Sequence, residues 1–194
     1  MDIPALCADS VRIARDKGWL DKPRKFSTIT ALIHSEWSEA LEDYRAHHKL
    51  TEIYFVKQWK DGGVDFSMPC SPDEPGSKPC GIPVEIADVV IRIAQHCGAE
   101  GWDLGAAMLG VSLPDPDKVR DFEDFEAEGH LATSLAYGAS ITKDPERPPV
   151  FFLALAMKLI LDFCGRNAID LDTAVAMKQA YNEGRPFRHG GKLI

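Results

Sequence analysis

The 194-residue chain has no unbroken apolar run of membrane-spanning length, and its opening segment MDIPALCADSVRIARDKGWL mixes charges into its apolar positions. A bilayer core calls for about 20 consecutive apolar residues, so no span is expected. The charged start does not read as a secretory leader either, and a cytoplasmic location is the expectation. Cysteines are few, and none forms a CxxC pair: they are Cys7, Cys70, Cys80, Cys97 and Cys164. Cys97 and Cys164 sit among apolar residues and read as small core side chains. Cys70 and Cys80 flank a Pro/Gly-rich loop that could bring them together, but neither a zinc site nor a lasting disulfide is expected in a reducing compartment. Positive charge is also in deficit, with 22 Lys and Arg against 30 Asp and Glu and a net charge of -8. Such a field attracts neither nucleic acid nor an anionic membrane. A small polyanion can still bind where metal ions invert the local charge. There is no nucleophile–base pair to suggest covalent catalysis. The tail segment GRPFRHGGK lacks the order and the following helix of a phosphate-binding Walker loop.

What the chain does have is helical periodicity. Residues 4–18 and 27–47 carry apolar positions at helical spacing, the second with Ile29, Leu32, Ile33, Trp37, Ala40 and Leu41. A third helix is expected over Pro83–Cys97, with Pro83 in its first turn and Gly98 beyond its end. Further helices are expected from about Asp103 to before Pro114, and over 117–137, 150–164 and 170–183. The stretch 49–82 departs from this pattern. It opens on the aromatic-rich run Tyr54-Phe55-Val56-Lys57-Gln58-Trp59 and then reads as loop, a long irregular insertion within which a short strand pair and a helix are both open readings. Its aromatic residues could serve either as a lid or as a small core of their own. No alternating run supports a large sheet, so the expected fold is all-α, a helical bundle in a single domain spanning 1–194.

Two segments echo one another without gaps, VEIADVVIRIAQHCGAEGWDL (84–104) and FFLALAMKLILDFCGRNAIDL (151–171). They share Ala87/Ala154, Cys97/Cys164, Gly98/Gly165, Asp103/Asp170 and Leu104/Leu171. A degenerate tandem repeat would divide the chain into halves, 1–113 and 114–194, arranged as a pseudo-dimer. In the second copy, Phe152 and Leu155 stand where the first has Glu85 and Asp88. The acids would then belong to one half alone.

Those acids are the chemically suggestive feature. Glu36-Trp37-Ser38-Glu39 lies in one expected helix and Glu85-Ile86-Ala87-Asp88 in another. Residues three apart share a helix face, so two packed helices would gather four carboxylates. Oxygen-rich sites of this kind suit hard cations such as Mg²⁺. An ExxE pair is common on solvated faces, and Arg92, four residues after Asp88, could simply pair with it. However, Glu36 falls on or beside the apolar stripe, where an unpaired carboxylate is costly.

LIHSEWSEALEDYR followed by KPCGIPVEIADVVIRI resembles the MazG-like all-α nucleoside triphosphate pyrophosphohydrolases, whose signature is ExxE on one helix and ExxD on a later one. The C-terminal MKQAYNEGRPFRHGGKLI also resembles a tail of MazG-like proteins. The resemblance implies a helical bundle, usually assembled as a homodimer, and Mg²⁺-dependent hydrolysis of a (deoxy)nucleoside triphosphate to monophosphate and pyrophosphate. Glu36, Glu39, Glu85 and Asp88 would be the catalytic and metal-binding residues, for Mg²⁺ or Mn²⁺. Lys178, Asn182 and Arg185 match the family's phosphate contacts. Trp37 and His34, which flank Glu36, are further candidates for substrate contact, with packing the competing role for Trp37. The gap between the acidic motifs is longer than in compact members of the family. Competing readings are a non-catalytic nucleotide-binding or interaction protein that keeps the fold, and a regulatory binder of nucleotides.

Overall fold

The computed structural model describes residues 1–61, 64–113 and 125–190. Seven α-helices are present among them, with one small sheet: α1 (Ile3–Asp16), α2 (Phe26–Arg45), β1 (Tyr54–Asp61), β2 (Val64–Pro69), β3 (Ser77–Cys80), α3 (Ile82–Glu100), α4 (Leu104–Gly110), α5 (Phe125–Ile141), α6 (Pro149–Arg166) and α7 (Leu171–Gly184). A short 3₁₀ turn, Phe187–Gly190, follows α7. No helix among the described residues is long and apolar enough to cross a membrane.

Helix α3 organises the molecule. Every residue from Ile82 to Ile91 is buried, and so are Ile93 through Cys97. A helix apolar all round must be enclosed on every side; α1, α2, α6 and α7 pack against it. Its N-terminus is fixed by Gly81, whose φ of 116° no L-residue adopts comfortably and whose missing Cβ leaves room for the Glu52 carbonyl. The other contacts follow the same logic, with α5 lying along α6 and against α2, and α4 lying along α6.

The expectation of an all-α chain is corrected by the insertion. Residues 54–80 form a three-stranded antiparallel sheet in the order β2-β1-β3. Tyr54 of β1 pairs with Cys80 of β3, and Val56 of β1 pairs with Pro69 of β2. Pro69 and Pro79 both fall on edge strands, where the missing N–H removes no ladder bond. Cys70 and Cys80 therefore lie on opposite sides of β1, about two strand spacings or 10 Å apart, beyond the reach of a disulfide. The sheet is rooted on α2 through the Tyr54 hydroxyl, which donates to Asp43 Oδ1 at 2.8 Å, and through the His48 ring stacked on Tyr54. Trp59 stacks on Phe66 near the far end of the sheet, both partly exposed.

The expected helix over 117–137 is observed from Phe125 to Ile141; the residues before 125 lie outside the described part. Phe125 and Glu128 are buried, because this end of α5 is inserted against Trp37, Tyr44 and Phe163.

The two echoing segments adopt matching local structure. Helices α3 and α6 start at corresponding residues, Ile82 and Pro149. Each ends on a residue with positive φ, Gly101 (72°) and Ala168 (54°). Trp102 N donates to Cys97 O at 2.8 Å, as Ile169 N does to Cys164 O at 2.9 Å. Asp103 then caps α4 and Asp170 caps α7, each accepting from the amide three residues on. Phe26 packs on His96 as Phe125 packs on Phe163, which aligns α2 with α5. In that alignment Glu39 corresponds to Gly138, and Gly138 faces Phe152, the residue at the place of Glu85. Gly98 admits Val11 and the Cys7 carbonyl of α1, whereas a Cβ on Gly165 would meet nothing within 4 Å among the described residues.

Gly129 lies directly under the Trp37 indole, where a Cβ would collide with ring atoms. Gly129→Ala should therefore force α2 and α5 apart and cost about 1–3 kcal/mol, read as a fall in melting temperature of roughly 2–12 °C. Gly165→Ala should be neutral or slightly stabilising in the same measurement. Glu128 is fully buried and neither carboxylate oxygen has a hydrogen-bond partner among the described residues. Burial pushes its pKa up to about 7, opposed by Arg166 and assisted by Asp162. The folded state thus holds this proton more tightly than the unfolded state. The resulting stabilisation is full below pH 4.5 and lost as pH rises through 7. Denaturant unfolding of Glu128→Gln should match wild type near pH 4.5 and be more stable than wild type at pH 8.

Candidate functional site

Helix α2 presents Leu32, Ser35, Glu36 and Glu39 to a cavity of about 310 Å³, into which α3 sends Asp88, Ile91, Arg92 and Gln95. The i, i+3, i+4 spacing that puts these residues on one face of each helix also turns the intervening ones away. Trp37 is 5% exposed and stacks on Phe125 at 5.3 Å. His34 is exposed, with Nε2 3.2 Å from the Thr133 carbonyl on α5. Neither lines the cavity, and Trp37 takes the packing role: one or two steps of about 100° around the helix carry them to the α5 side. Helix α7 closes the space with Lys178, Tyr181 and Asn182, and Arg185 follows it. Gln58 of β1 and Lys78 of β3 complete a wall from the inserted sheet.

The acids are held close. Glu36, Glu39 and Glu85 each offer one oxygen within 4.8 Å of the others, a grouping that could hold a metal ion. Glu36, Glu85 and Asp88 are buried, and Glu39 is exposed. Asp88 stands beside this group, bound by Lys178, whose Nζ lies 2.8 Å from Asp88 Oδ2 and 3.6 Å from Glu85 Oε2. Arg92 does not pair with Asp88, four residues before it. It reaches across to α2, where Nε donates to Glu36 Oε1 at 2.7 Å and Nη2 donates to the same oxygen. On one helix an i, i+4 pair would lie along the surface, whereas the buried Glu36 needs a countercharge more than the Lys178-bound Asp88 does.

The electrostatics follow from this packing. Burial pushes the Glu85 carboxyl up to about 7, with Lys178 opposing and Asp88 reinforcing the rise. Burial also raises Glu36, against the pull of Arg92. For Lys178, burial alone would favour the neutral amine, but Asp88 and Glu85 together hold the ammonium form firmly. Glu85 Oε2 and Asn182 Oδ1 are buried without a hydrogen-bond partner among the described residues. Such groups are rare in native proteins unless a ligand or ion completes them.

The acids of α2 and α3 and the three C-terminal residues Lys178, Asn182 and Arg185 are thus brought to one place. Trp19, Arg24, Tyr181, Gln58 and Lys78 were missed from the sequence. Arg24 and Trp19 sit in the segment joining α1 to α2, where nothing periodic marks them. They reach the site because the tail is fastened to that segment. Arg188 N donates to Lys17 O at 2.9 Å, the Arg188 guanidinium meets Asp21 at 2.6 Å, and the Phe187 ring occupies the space over Gly18. Of the tail's His189-Gly190-Gly191-Lys192, residues 191 and 192 lie outside the described part.

Removing one partner of a buried charge cluster typically costs about 3–5 kcal/mol. In EDTA, Lys178→Met should therefore melt roughly 6–20 °C below wild type. A divalent cation can supply the missing positive charge, so added Mg²⁺ should raise the variant's melting temperature more than that of wild type. Equal shifts in the two proteins would show that Lys178 and the cation do not share the carboxylates.

No known family model, curated protein or solved structure matches this chain.

Proposed function

We propose that the chain is a Mg²⁺-dependent nucleotide pyrophosphohydrolase of the MazG-like kind, converting a (deoxy)nucleoside triphosphate to the monophosphate and pyrophosphate. The observation that carries this reading is the meeting of two unlike groups in one cavity. The carboxylates of α2 and α3 face the Lys178, Asn182 and Arg185 side chains that follow from the last helix. A metal site alone needs no such cations, and a phosphate site alone needs no such acids.

Glu36, Glu39 and Glu85 would hold Mg²⁺, with Asp88 beside them. When bound, Mg²⁺ sets positive charge against the phosphate oxygens and acidifies a water molecule. The chain's own residues would do the rest. Glu39, exposed where the other three acids are buried, would give one oxygen to the ion and keep its second to orient a water and accept its proton. Arg92 and Lys178 set their charges against Glu36, Glu85 and Asp88 while lining the same cavity, where they would also meet the substrate's phosphates. Attack of water on the α-phosphorus breaks its bond to the bridging oxygen, and pyrophosphate leaves with that oxygen.

The matching of α2–α3–α4 with α5–α6–α7 supports a further reading, that one chain contains both halves of an ancestral dimer. In that reading the second half has exchanged its acids for Leu135, Gly138, Phe152 and Leu155, leaving one site per chain. Any further homo-oligomer would not be needed to complete the site. The alternative function is a nucleotide-binding protein without turnover, and the occupation of the acids by Arg92 and Lys178 is the observation that favours it.

Purified protein with Mg²⁺ and a panel of nucleoside triphosphates should release pyrophosphate. Glu39→Gln should lower the rate at least about 100-fold, the usual scale for loss of a general base, while leaving the melting temperature near wild type. Binding without release across the panel would select the alternative.

A further inference from the structure

The seam between α2 and α3 that lines the cavity has two unlike ends. The helices run antiparallel along it: the Phe26 ring lies 4.4 Å from the His96 ring, Glu36 accepts from Arg92 at 2.7 Å, and Glu39 offers an oxygen within 4.8 Å of one from Glu85. Glu39, Glu85 and Asp88, with Lys178, mark one end. Toward the other end, Leu32 lies between Phe26 and Glu36 on α2, at the level of Gln95, which lies between Arg92 and His96 on α3. Seven residues of helix, about 10 Å, separate Gln95 from Asp88.

Gln95 lines the cavity and is only 6% exposed, yet its side chain has no hydrogen-bond partner among the described residues. A carboxamide that leaves water without replacing its hydrogen bonds is costly, and native proteins rarely leave one so. Ile91, four residues earlier on the same face of α3, and Leu32 opposite give this end an apolar lining. The carboxamide carries an N–H donor and a carbonyl acceptor side by side. An ionised phosphate accepts hydrogen bonds and offers none, so it would answer one half of the group and repel the other. A nucleobase edge presents a donor beside an acceptor, and its flat faces suit aliphatic walls.

We propose that Gln95 reads the nucleobase of the substrate, its amide paired with the donor–acceptor edge of the base against the apolar lining of Leu32 and Ile91. This deepens the nucleotide reading of the cavity and rests on it. The stretch of α3 between Asp88 and Gln95 is on the order of a ribose with its base, so one nucleotide reaches from the acids to the amide. A site built to pair with a polar edge rejects a ligand that lacks it, because the buried amide is then left unpaired. Gln95 carries no charge. It therefore adds selection among nucleotides without adding attraction for the triphosphate that they share.

The test uses α,β-methylene nucleoside triphosphates, in which carbon replaces the oxygen of the bond to be cleaved, carrying adenine, guanine, cytosine or uracil. Each is titrated calorimetrically into the full chain with Mg²⁺, beside sodium tripolyphosphate. Wild type is expected to bind one base in preference to the others and to tripolyphosphate. Gln95→Met keeps the length of the side chain without its hydrogen-bonding groups. It should weaken the preferred analogue about 10-fold, the scale of one or two lost hydrogen bonds, and leave tripolyphosphate unchanged. A second reading keeps Gln95 in place. Gln58, Gln95 and Gln179 are the glutamines of the chain, so ¹⁵N-glutamine labelling gives few side-chain amide signals, assigned by the loss of the others in Gln58→Glu and Gln179→Glu. The Gln95 amide should shift with the preferred analogue and stay in place with tripolyphosphate. Equal affinity for all the bases, an equal loss for tripolyphosphate in Gln95→Met, or an unmoved Gln95 amide overturns the proposal. Base-dependent binding without release of pyrophosphate from the natural triphosphates keeps this inference and loses the hydrolase. Release that is blind to the base and unchanged in Gln95→Met keeps the hydrolase and loses this inference. No binding of any of these ligands loses both.

Discussion

A buried ammonium ion held between two buried carboxylates, Lys178 with Asp88 and Glu85, is the constraint around which the molecule is arranged. None of the three groups could leave water alone, since an isolated charge in the interior costs several kcal/mol. Their pairing makes the position of α7 on α3 a matter of charge as well as shape. Arg92 performs the same office for Glu36, binding α3 to α2. Two cross-helix ion pairs thus hold three helices around a polar space in an otherwise apolar bundle. A core built this way resists collapse, because closing the space would strand charge.

The two echoing segments, each with the helix packed before it, meet with opposite chemistry. Where α2 brings Glu39 to Glu85, α5 brings Gly138 to Phe152, and the ring fills what is open on the other side. A filled seam needs no countercharges. Helix α5 carries a buried acid of its own, Glu128, near Arg166 at the opposite end of α5 from that seam.

Much of the helical frame was legible because apolar residues recur at helical spacing, and Asp103 and Asp170 mark helix starts through capping. The four acids were legible for the same reason: a spacing of three fixes a shared face whatever the tertiary structure. The sheet was not. Its strands lie on the surface with both faces partly open, so Tyr54–Asp61 shows no clean alternation, and Pro69 and Pro79 argued locally against strands. Trp37 and His34 flank Glu36 in sequence, but neighbours on a helix point to different sides, and these two face α5. The partner of Arg92 was misjudged because a local i, i+4 pair competes with a long-range one that only burial favours. Arg24, Trp19 and Tyr181 carry no pattern, since their meeting depends on where the two ends of the chain are joined.

That joining has a consequence for the order in which the molecule is made. The ribosome delivers α2 and α3 with their acids long before α7, and each added residue takes roughly 0.05–0.2 s. Through that interval Asp88 and Glu85 have no Lys178, and Arg24 has no tail to fix its segment. The earlier helices can collapse on their apolar faces, but the polar centre stays hydrated until α7 and Arg188 emerge. Completion of the site therefore waits for that later segment. A product that stops short of Arg188 keeps its helices while losing the fastening between its two ends.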